Sequence, residues 1–500
     1  VALVNVQIRR LGLVSLALVF ALILGATYWQ VWAAPDLADK QDNAISLIAQ
    51  YTIKRGLIYA SDGKTVIAAN RAVRSGNRTF YFRRYPLGSL FAHAVGYASE
   101  SRGRTGLERS ANGFLTGADT TLATQLKRVA NNLVGSPIDG SSIVTTLDVQ
   151  AQKVAMQALA GKCGAAVALD PKTGRVLVLA SQPSYNPNDV QSHYRRIRRI
   201  SSPGCSPAAP LVDRATAGGF VPGSSFKVVT ATAALDTGKF TPSSSFYDPG
   251  YCIEYGKQVS NFADLGRPEV FGNVSFASAL QHSINSVFCN VGKALGPYPI
   301  LEYAKRYGFY SPAPIDLPRD EVKPSGLYDH NRLFWPASAS QVDVGRMAFG
   351  QERMLVSPLQ MAEVAATVAN GGVRMQPYLV DRVIRPNGKV ETTRPHALDR
   401  VMKPETASEL TTMMESVVSG GTGTAAQIPG VRVAGKTGTG ETSSTPGGLN
   451  TTWFIAFAPA DAPRVAVAVV LENQTGVGGT TAAPIAREIM QALLSQAANP

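Results

Sequence analysis

Val221-Pro-Gly-Ser-Ser-Phe-Lys-Val-Val-Thr-Ala-Thr-Ala-Ala-Leu235 opens on a Pro-Gly turn and continues as an apolar helix from Phe226. It lies mid-chain, between two groups of strand-like runs. Upstream, Ala165-Ala-Val-Ala-Leu-Asp-Pro-Lys-Thr-Gly-Arg-Val-Leu-Val-Leu-Ala180 reads as strand, tight turn and strand. Before it, Ile143 to Asp148 is strand-like and Val149 to Leu159 reads as a helix. Downstream, Val431 to Lys436, Thr452 to Ala458 and Val465 to Leu471 are strand-like, and a last helix runs from Ala483 to Ala497. Helical patterns and Pro/Gly loops fill the interval from Phe226 to about Asn370. Two strands early, helices in the middle and three strands late predict an α+β domain, with one antiparallel sheet and helices packed on it.

The N-terminus carries a different signal. Arg9 and Arg10 precede Leu11 to Trp32, 22 residues without a charge. At 1.5 Å per residue that is roughly 30 Å, the thickness of a bilayer's hydrocarbon core. Tyr28, Trp29 and Trp32 end the run with interfacial aromatics, and the two arginines place residues 1–10 in the cytoplasm. The alternative is a cleaved secretory signal with Val31-Trp32-Ala33 as its processing site. The length of the apolar core favours an uncleaved anchor. Residues 33–140 then form a modest module of mixed strands and loops. In it, Arg55 to Ala68 reads as a hairpin turning at Asp62-Gly63. Arg83-Arg-Tyr-Pro and Thr105-Gly-Leu-Glu108 are turn-rich, with no helix period around them. Residues 141–500 form the larger domain.

Composition excludes several classes. Hydrophobic residues make up 45% of the chain, too many for a disordered protein. Glycine and proline show no fixed period, which excludes collagen and repeat arrays. The formal net charge is +13, which suits nucleic acid but equally an anionic membrane or wall polymer; behind an export anchor the second applies, and no nucleic-acid partner is expected. His193-Tyr-Arg-Arg-Ile-Arg-Arg199 is the densest basic run, read as a solvated face or as a contact for anionic lipid or glycan. There are four cysteines, Cys163, Cys205, Cys252 and Cys289, which permit disulfides outside the cytoplasm in any of three pairings. With no C-x-x-C and five histidines, neither a metal site nor a cofactor is expected.

Chemistry concentrates in three places. Ser224 sits at a helix start, where unpaired N–H groups favour a developing anion. Lys227, about one turn on, brings an amine to the same face, and a buried lysine of lowered pKa is a base able to activate a serine. Ser-x-x-Lys alone is weak, because an N-cap serine before a surface lysine is common. Ser283-Ile-Asn285 adds a hydroxyl and an amide just past a helical stretch, able to relay a proton and hold a peptide carbonyl. Lys436-Thr437-Gly438, read at the end of a strand, adds a cation and hydroxyls for a substrate carboxylate, on an edge able to pair with an extended peptide. Similar triplets recur at Ser61-Asp-Gly-Lys64, Lys172-Thr-Gly174, Ser75-Gly-Asn77, Ser110-Ala-Asn112 and Ser184-Tyr-Asn186. Only the set of Ser224, Ser283 and Lys436 falls on helix start, interhelical loop and strand.

That set resembles the penicillin-recognising serine transpeptidases. Asp213-Arg-Ala, Pro222-Gly-Ser-Ser-Phe-Lys, Gly350-Gln351, Ser357-Pro-Leu-Gln-Met-Ala and Ala434-Gly-Lys-Thr-Gly-Thr439 are similar to class B penicillin-binding proteins, as are Arg55-Gly56 and Gly106-Leu-Glu108. Ser225 stands where many relatives have threonine. The resemblance implies a peptidoglycan D,D-transpeptidase anchored in the cytoplasmic membrane, its catalytic domain outside and residues 33–140 as a pedestal. Ser224 would attack the stem peptide's D-Ala-D-Ala bond, with Lys227 as base, Ser283 passing a proton to the leaving D-alanine, Lys436 tuning the electrostatics and Asn285 holding the donor. The N–H groups of Ser224 and Thr439 would form the oxyanion hole. Thr437, Gly438 and Thr439 would bind the substrate, the two threonines gripping its carboxylate, and β-lactams would acylate Ser224. The 33–140 stretch is too short for a built-in glycosyltransferase, so a SEDS-type membrane glycosyltransferase is the expected partner.

Three rival readings follow from the same residues. A serine β-lactamase needs a second base for deacylation, and none is assignable. A D,D-carboxypeptidase uses water as acceptor. A non-catalytic scaffold would act on a membrane glycan polymerase through the anchor and first module.

Overall fold

The computed structural model describes residues 2–29, 51–76, 78–118, 139–202, 204–205, 207–264, 267–441 and 448–496. Residues 30–32 of the expected anchor, with Trp32, the stretch 33–50, Asn77 and Ala497 lie outside the described residues. Ala2–Thr27 is one helix, and its Arg10–Thr27 portion is long and apolar enough to cross a membrane, with its side chains exposed. It is a candidate membrane anchor.

The larger domain is built on a five-stranded sheet in the order Ala434–Glu441, Asn450–Ala458, Val465–Gln474, Gly164–Leu169 and Val176–Gln182, every neighbour antiparallel. Both faces are covered. Side chains alternate across a strand, so Trp453, Ile455 and Phe457 enter one core while Phe454, Ala456 and Ala458 enter the other. Helix Pro358–Ala369 packs on the first face; the C-terminal helix Gly478–Gln496 and helix Val149–Ala158 cover the second. The Ala-rich strand Gly164–Leu169 is buried along its whole length, and its small side chains let layers of helix approach on both sides. This is the α+β architecture that the strand and helix patterns predict.

The expected hairpin forms from Ile58–Tyr59 and Val66–Ser75, with Asp62 Oδ1 accepting the N–H groups of Lys64 and Thr65 at 2.8 Å. Its sheet extends beyond the first module, in the order Val390–Thr392, Val380–Ile384, Ser142–Thr145, Ile58–Tyr59, Val66–Ser75 and Arg78–Arg84. The strand-like run at Ile143 therefore belongs here and not to the five-stranded sheet.

Two readings need correction. Gly106–Ser110 is a short helix, too brief to show a period, and it carries Glu108. Fully buried Glu108 receives Arg55 Nη2 at 2.7 Å and Arg83 Nε at 2.6 Å. Burial alone would raise its carboxyl, but Arg83 and Arg55 together hold it below the ordinary value. The middle of the chain also contains a lobe of short strands, Ser245–Asp248, Tyr251–Glu254, Lys257–Ser260 and Gly272–Ser275, where helices and loops are expected.

Both disulfides are local braces, Cys163–Cys205 and Cys252–Cys289. The second ties strand Tyr251–Glu254 to helix Asn285–Leu295. The basic run at 193–199 is a short exposed helix, Tyr194–Arg198, with Ile197 as its buried anchor.

Candidate active site

The Pro222-Gly223 turn leads into a 3-10 helix, Gly223–Phe226, before the α-helix Lys227–Asp236 begins. Three residues per turn make positions i and i+3 eclipse, so Ser224 and Lys227 share one face more closely than an α-helix would allow. Ser225 closes the turn by donating its hydroxyl to Pro222 O at 2.7 Å. Phe226 pins it, fully buried with its ring edge-on to Phe309 at 5.9 Å. Ser224 is left half-buried at the surface.

Two glycines allow the neighbouring segments to close on this turn. Gly223 has φ +52°, and a Cβ there would lie 2.4 Å from Thr439 O. A Cβ at Gly438 would lie 2.7 Å from Pro222 O and 3.0 Å from Ser225 N. The strand Ala434–Glu441, at the edge of the sheet, therefore runs directly along the serine turn. The Lys436-Thr437-Gly438 triplet stands mid-strand and not at the strand end as expected, because pairing with Asn450–Ala458 continues to Glu441.

The three motifs meet at their side chains. Lys227 Nζ donates to Ser283 O at 2.6 Å and to Asn285 Oδ1 at 2.7 Å, with Ser283 Oγ at 3.3 Å. Lys436 Nζ donates to the same Ser283 Oγ at 2.9 Å and to Thr437 O at 3.1 Å. Ser283 sits in the loop between helices Phe276–Gln281 and Asn285–Leu295 with a left-handed backbone, φ 59°. Thr437 is tethered hydroxyl to hydroxyl to Thr422 at 2.7 Å, and Thr439 Oγ1 accepts the Gly478 N–H at 3.4 Å.

Both amines are completely buried. Each lies within 3.3 Å of one hydroxyl oxygen, so they are no more than roughly 6 Å apart. At an effective dielectric of 20, two charges at that distance repel by about 3 kcal/mol. Burial and the nearby Lys436 push Lys227 well below the ordinary lysine range. Burial brings Lys436 down to about 7. The rings of Phe288 and Phe349 face Lys227 Nζ at 5.2 and 5.9 Å. Such contacts favour the cation by about 0.5–2 kcal/mol, against a desolvation cost of several kcal/mol per ion, so neutrality wins.

Ser224, Lys227, Ser283, Asn285, Lys436, Thr437, Gly438 and Thr439 thus lie on three converging segments. Ser61 and Lys172 instead occupy the turns after Ile58–Tyr59 and after Gly164–Leu169, away from any of them. Sequence reading missed Phe288, Phe349 and Thr422, whose spacing carries no signal. Gln351 was visible only through resemblance; its Nε2 donates to Thr439 O at 3.4 Å.

The chain belongs to the penicillin-binding protein transpeptidase family. The profile described as the penicillin binding protein transpeptidase domain matches residues 164–491, and that of the penicillin binding protein A dimerisation domain matches 55–143. The peptidoglycan D,D-transpeptidase PbpA of Mycobacterium tuberculosis is 34% identical, over 98% of this chain and 99% of that protein. Its counterpart in Mycolicibacterium smegmatis is 33% identical over the same shares. Among solved structures, the ceftriaxone acyl-enzyme complex of penicillin-binding protein A from M. tuberculosis superposes with a TM-score of 0.77 at 32% identity, covering 89% of this chain and all of that one.

Proposed function

We propose that this protein is a peptidoglycan D,D-transpeptidase that crosslinks stem peptides through an acyl-enzyme on Ser224. The observation that carries the reading is the pair of acceptors around Lys227. A neutral amine has two hydrogens. With Ser283 O and Asn285 Oδ1 engaging both, the lone pair is free to take the Ser224 proton. Ser224 Oγ then bonds to the carbonyl carbon between the last two D-alanines. Lys227, once protonated, has a third hydrogen for Ser283 Oγ, which takes it as it gives its own proton to the departing D-alanine nitrogen. Burial keeps Lys227 neutral, and repulsion from Lys436 adds to it. The N–H groups of Ser224 and Thr439 stabilise the oxyanion, each worth roughly 10²–10³ in rate. Thr437 and Thr439 hold the terminal carboxylate, and Asn285 the donor peptide. An amine of a second stem peptide takes the acyl group and frees the serine. β-Lactams enter by the same route, consistent with the acyl-enzyme complexes of structural relatives.

The helix Ala2–Thr27 anchors the protein in the cytoplasmic membrane by a single pass, the catalytic domain lies outside, and the first module serves as a pedestal. Buried Glu108 stiffens that module, and Gly106 N–H donates to Glu321 Oε2 of the larger domain at 2.9 Å. Glycan chains come from a separate membrane polymerase of the SEDS type. Incubation with lipid-linked pentapeptide glycan and such a polymerase tests the reading. Crosslinked dimers with released D-alanine are expected; trimmed monomers alone would make the enzyme a carboxypeptidase.

A further inference from the structure

Asp248 ends strand Ser245–Asp248 in the lobe beside the site and is fully buried. As a carboxylate it only accepts hydrogen bonds. Oδ1 accepts from Gly250 N–H at 2.8 Å, Asn261 Nδ2 at 3.0 Å and Ser286 Oγ at 2.5 Å; Oδ2 accepts from Asn261 Nδ2 and Phe271 N–H at 2.9 Å. Two of these donors lead to the reacting groups. Asn261 Oδ1 accepts the Ser286 N–H at 2.9 Å, satisfying an unpaired donor in the first turn of helix Asn285–Leu295 from outside. The preceding Ser260 O accepts Asn285 Nδ2 at 3.3 Å, which turns Asn285 Oδ1 toward Lys227.

We infer that Asp248 is a positioning residue for acyl transfer: through Asn261 and Ser286 it fixes the helix start that aims Asn285 at the Lys227 amine. The inference rests on the role given to Lys227 above. The 260–261 segment supports residues 285–286, and Asp248 locks both from behind. The Lys227 lone pair depends on where its two hydrogens are held, so a shift of about 1 Å at Asn285 misdirects it. Displacement on that scale costs about a hundredfold in rate.

Asp248→Asn keeps the shape but puts an NH₂ among donors. Ser286→Ala removes one link and leaves the carboxylate in place. Asp236→Asn is the control for stability alone: Asp236 accepts Tyr303 OH at 2.6 Å and Lys403 N–H at 2.8 Å at the far end of helix Lys227–Asp236. The test is stopped-flow acylation of the full-length, detergent-solubilised chain by a fluorescent penicillin. It separates the half-saturating concentration, the acylation step and the final labelled fraction. Asp248→Asn is expected to slow the acylation step about ten- to a hundredfold, with half-saturation and full labelling kept, and Ser286→Ala to slow it by a smaller factor. Asp236→Asn is expected to lower Tm without slowing acylation. If Asp248→Asn fails to fold, Ser286→Ala decides. A fully labelled variant reacting within twofold of wild type, or equal slowing by Asp236→Asn, overturns the inference. Failure of the wild type to label at Ser224 would instead remove the underlying reading.

Discussion

Lys227 donates through Nζ to Asn285 Oδ1 at 2.7 Å, joining the first turn of one helix to the first turn of another. An amine held this way can lose its proton at accessible pH; a guanidinium cannot. Lys227→Arg is therefore expected to slow acylation by a fluorescent penicillin by about 10²–10⁴, the usual contribution of a general base. Gel-based labelling against time measures it, and a rate within tenfold of wild type contradicts the role of base.

Ser283 separates chemistry from stability. Its left-handed backbone, φ 59°, costs a non-glycine residue about 1 kcal/mol or more, and glycine nothing. Glycine's greater freedom in the unfolded chain takes back a similar amount, so Ser283→Gly should leave Tm within a few degrees of wild type. The hydroxyl that both lysines share is lost, and acylation should fall at least tenfold. Paired calorimetry and labelling decide; unchanged labelling at unchanged Tm removes Ser283 from the proton path.

The buried amines tie stability to pH. Lys436 keeps its proton up to about pH 7 in the folded protein and up to about pH 10.4 in the unfolded chain. Across that window the unfolded state binds more protons, so stability rises with pH, by at most about 1.4 kcal/mol per unit from this residue. Below about pH 7 both states hold the proton and the slope vanishes. Unfolding free energies of wild type and Lys436→Met from pH 6 to 9 should diverge above pH 7 in favour of wild type. Parallel curves would mean that Lys436 titrates normally.

The Cys252–Cys289 bridge closes a separation of 37 residues and holds helix Asn285–Leu295 against the lobe. Replacing both cysteines by alanine should cost about 3–4 kcal/mol, the chain-entropy value for such a loop. Denaturant unfolding measures it, and a change below about 1 kcal/mol would show the bridge to be mechanically idle.

The three motifs were legible because each is a local spacing on an element whose own pattern is plain: an apolar helix, a loop between helices, an apolar strand. The five-stranded sheet was legible for the same reason, since its strands are long apolar runs. What escaped depends on contacts distant in sequence. Strand Ser142–Thr145 joins the hairpin of the first module, a pairing that no local pattern carries. The described strands between Ser245 and Ser275 are two to four residues long and carry polar, exposed positions, too short to alternate visibly. Asp248, Asn261 and Ser286 share no motif and meet only in the fold. Cysteine count left three pairings open, and the proximity of Cys163 to Cys205 and of Cys252 to Cys289 closes the choice.

The central claim is that the hydroxyl of Ser224 is the nucleophile beside a neutral lysine. Treatment with benzylpenicillin, proteolysis and mass spectrometry of the peptides tests it most directly. One adduct is expected, on the peptide containing Ser224, and none in a folded Ser224→Ala variant. An adduct on any other residue, or one that survives in that variant, contradicts the account.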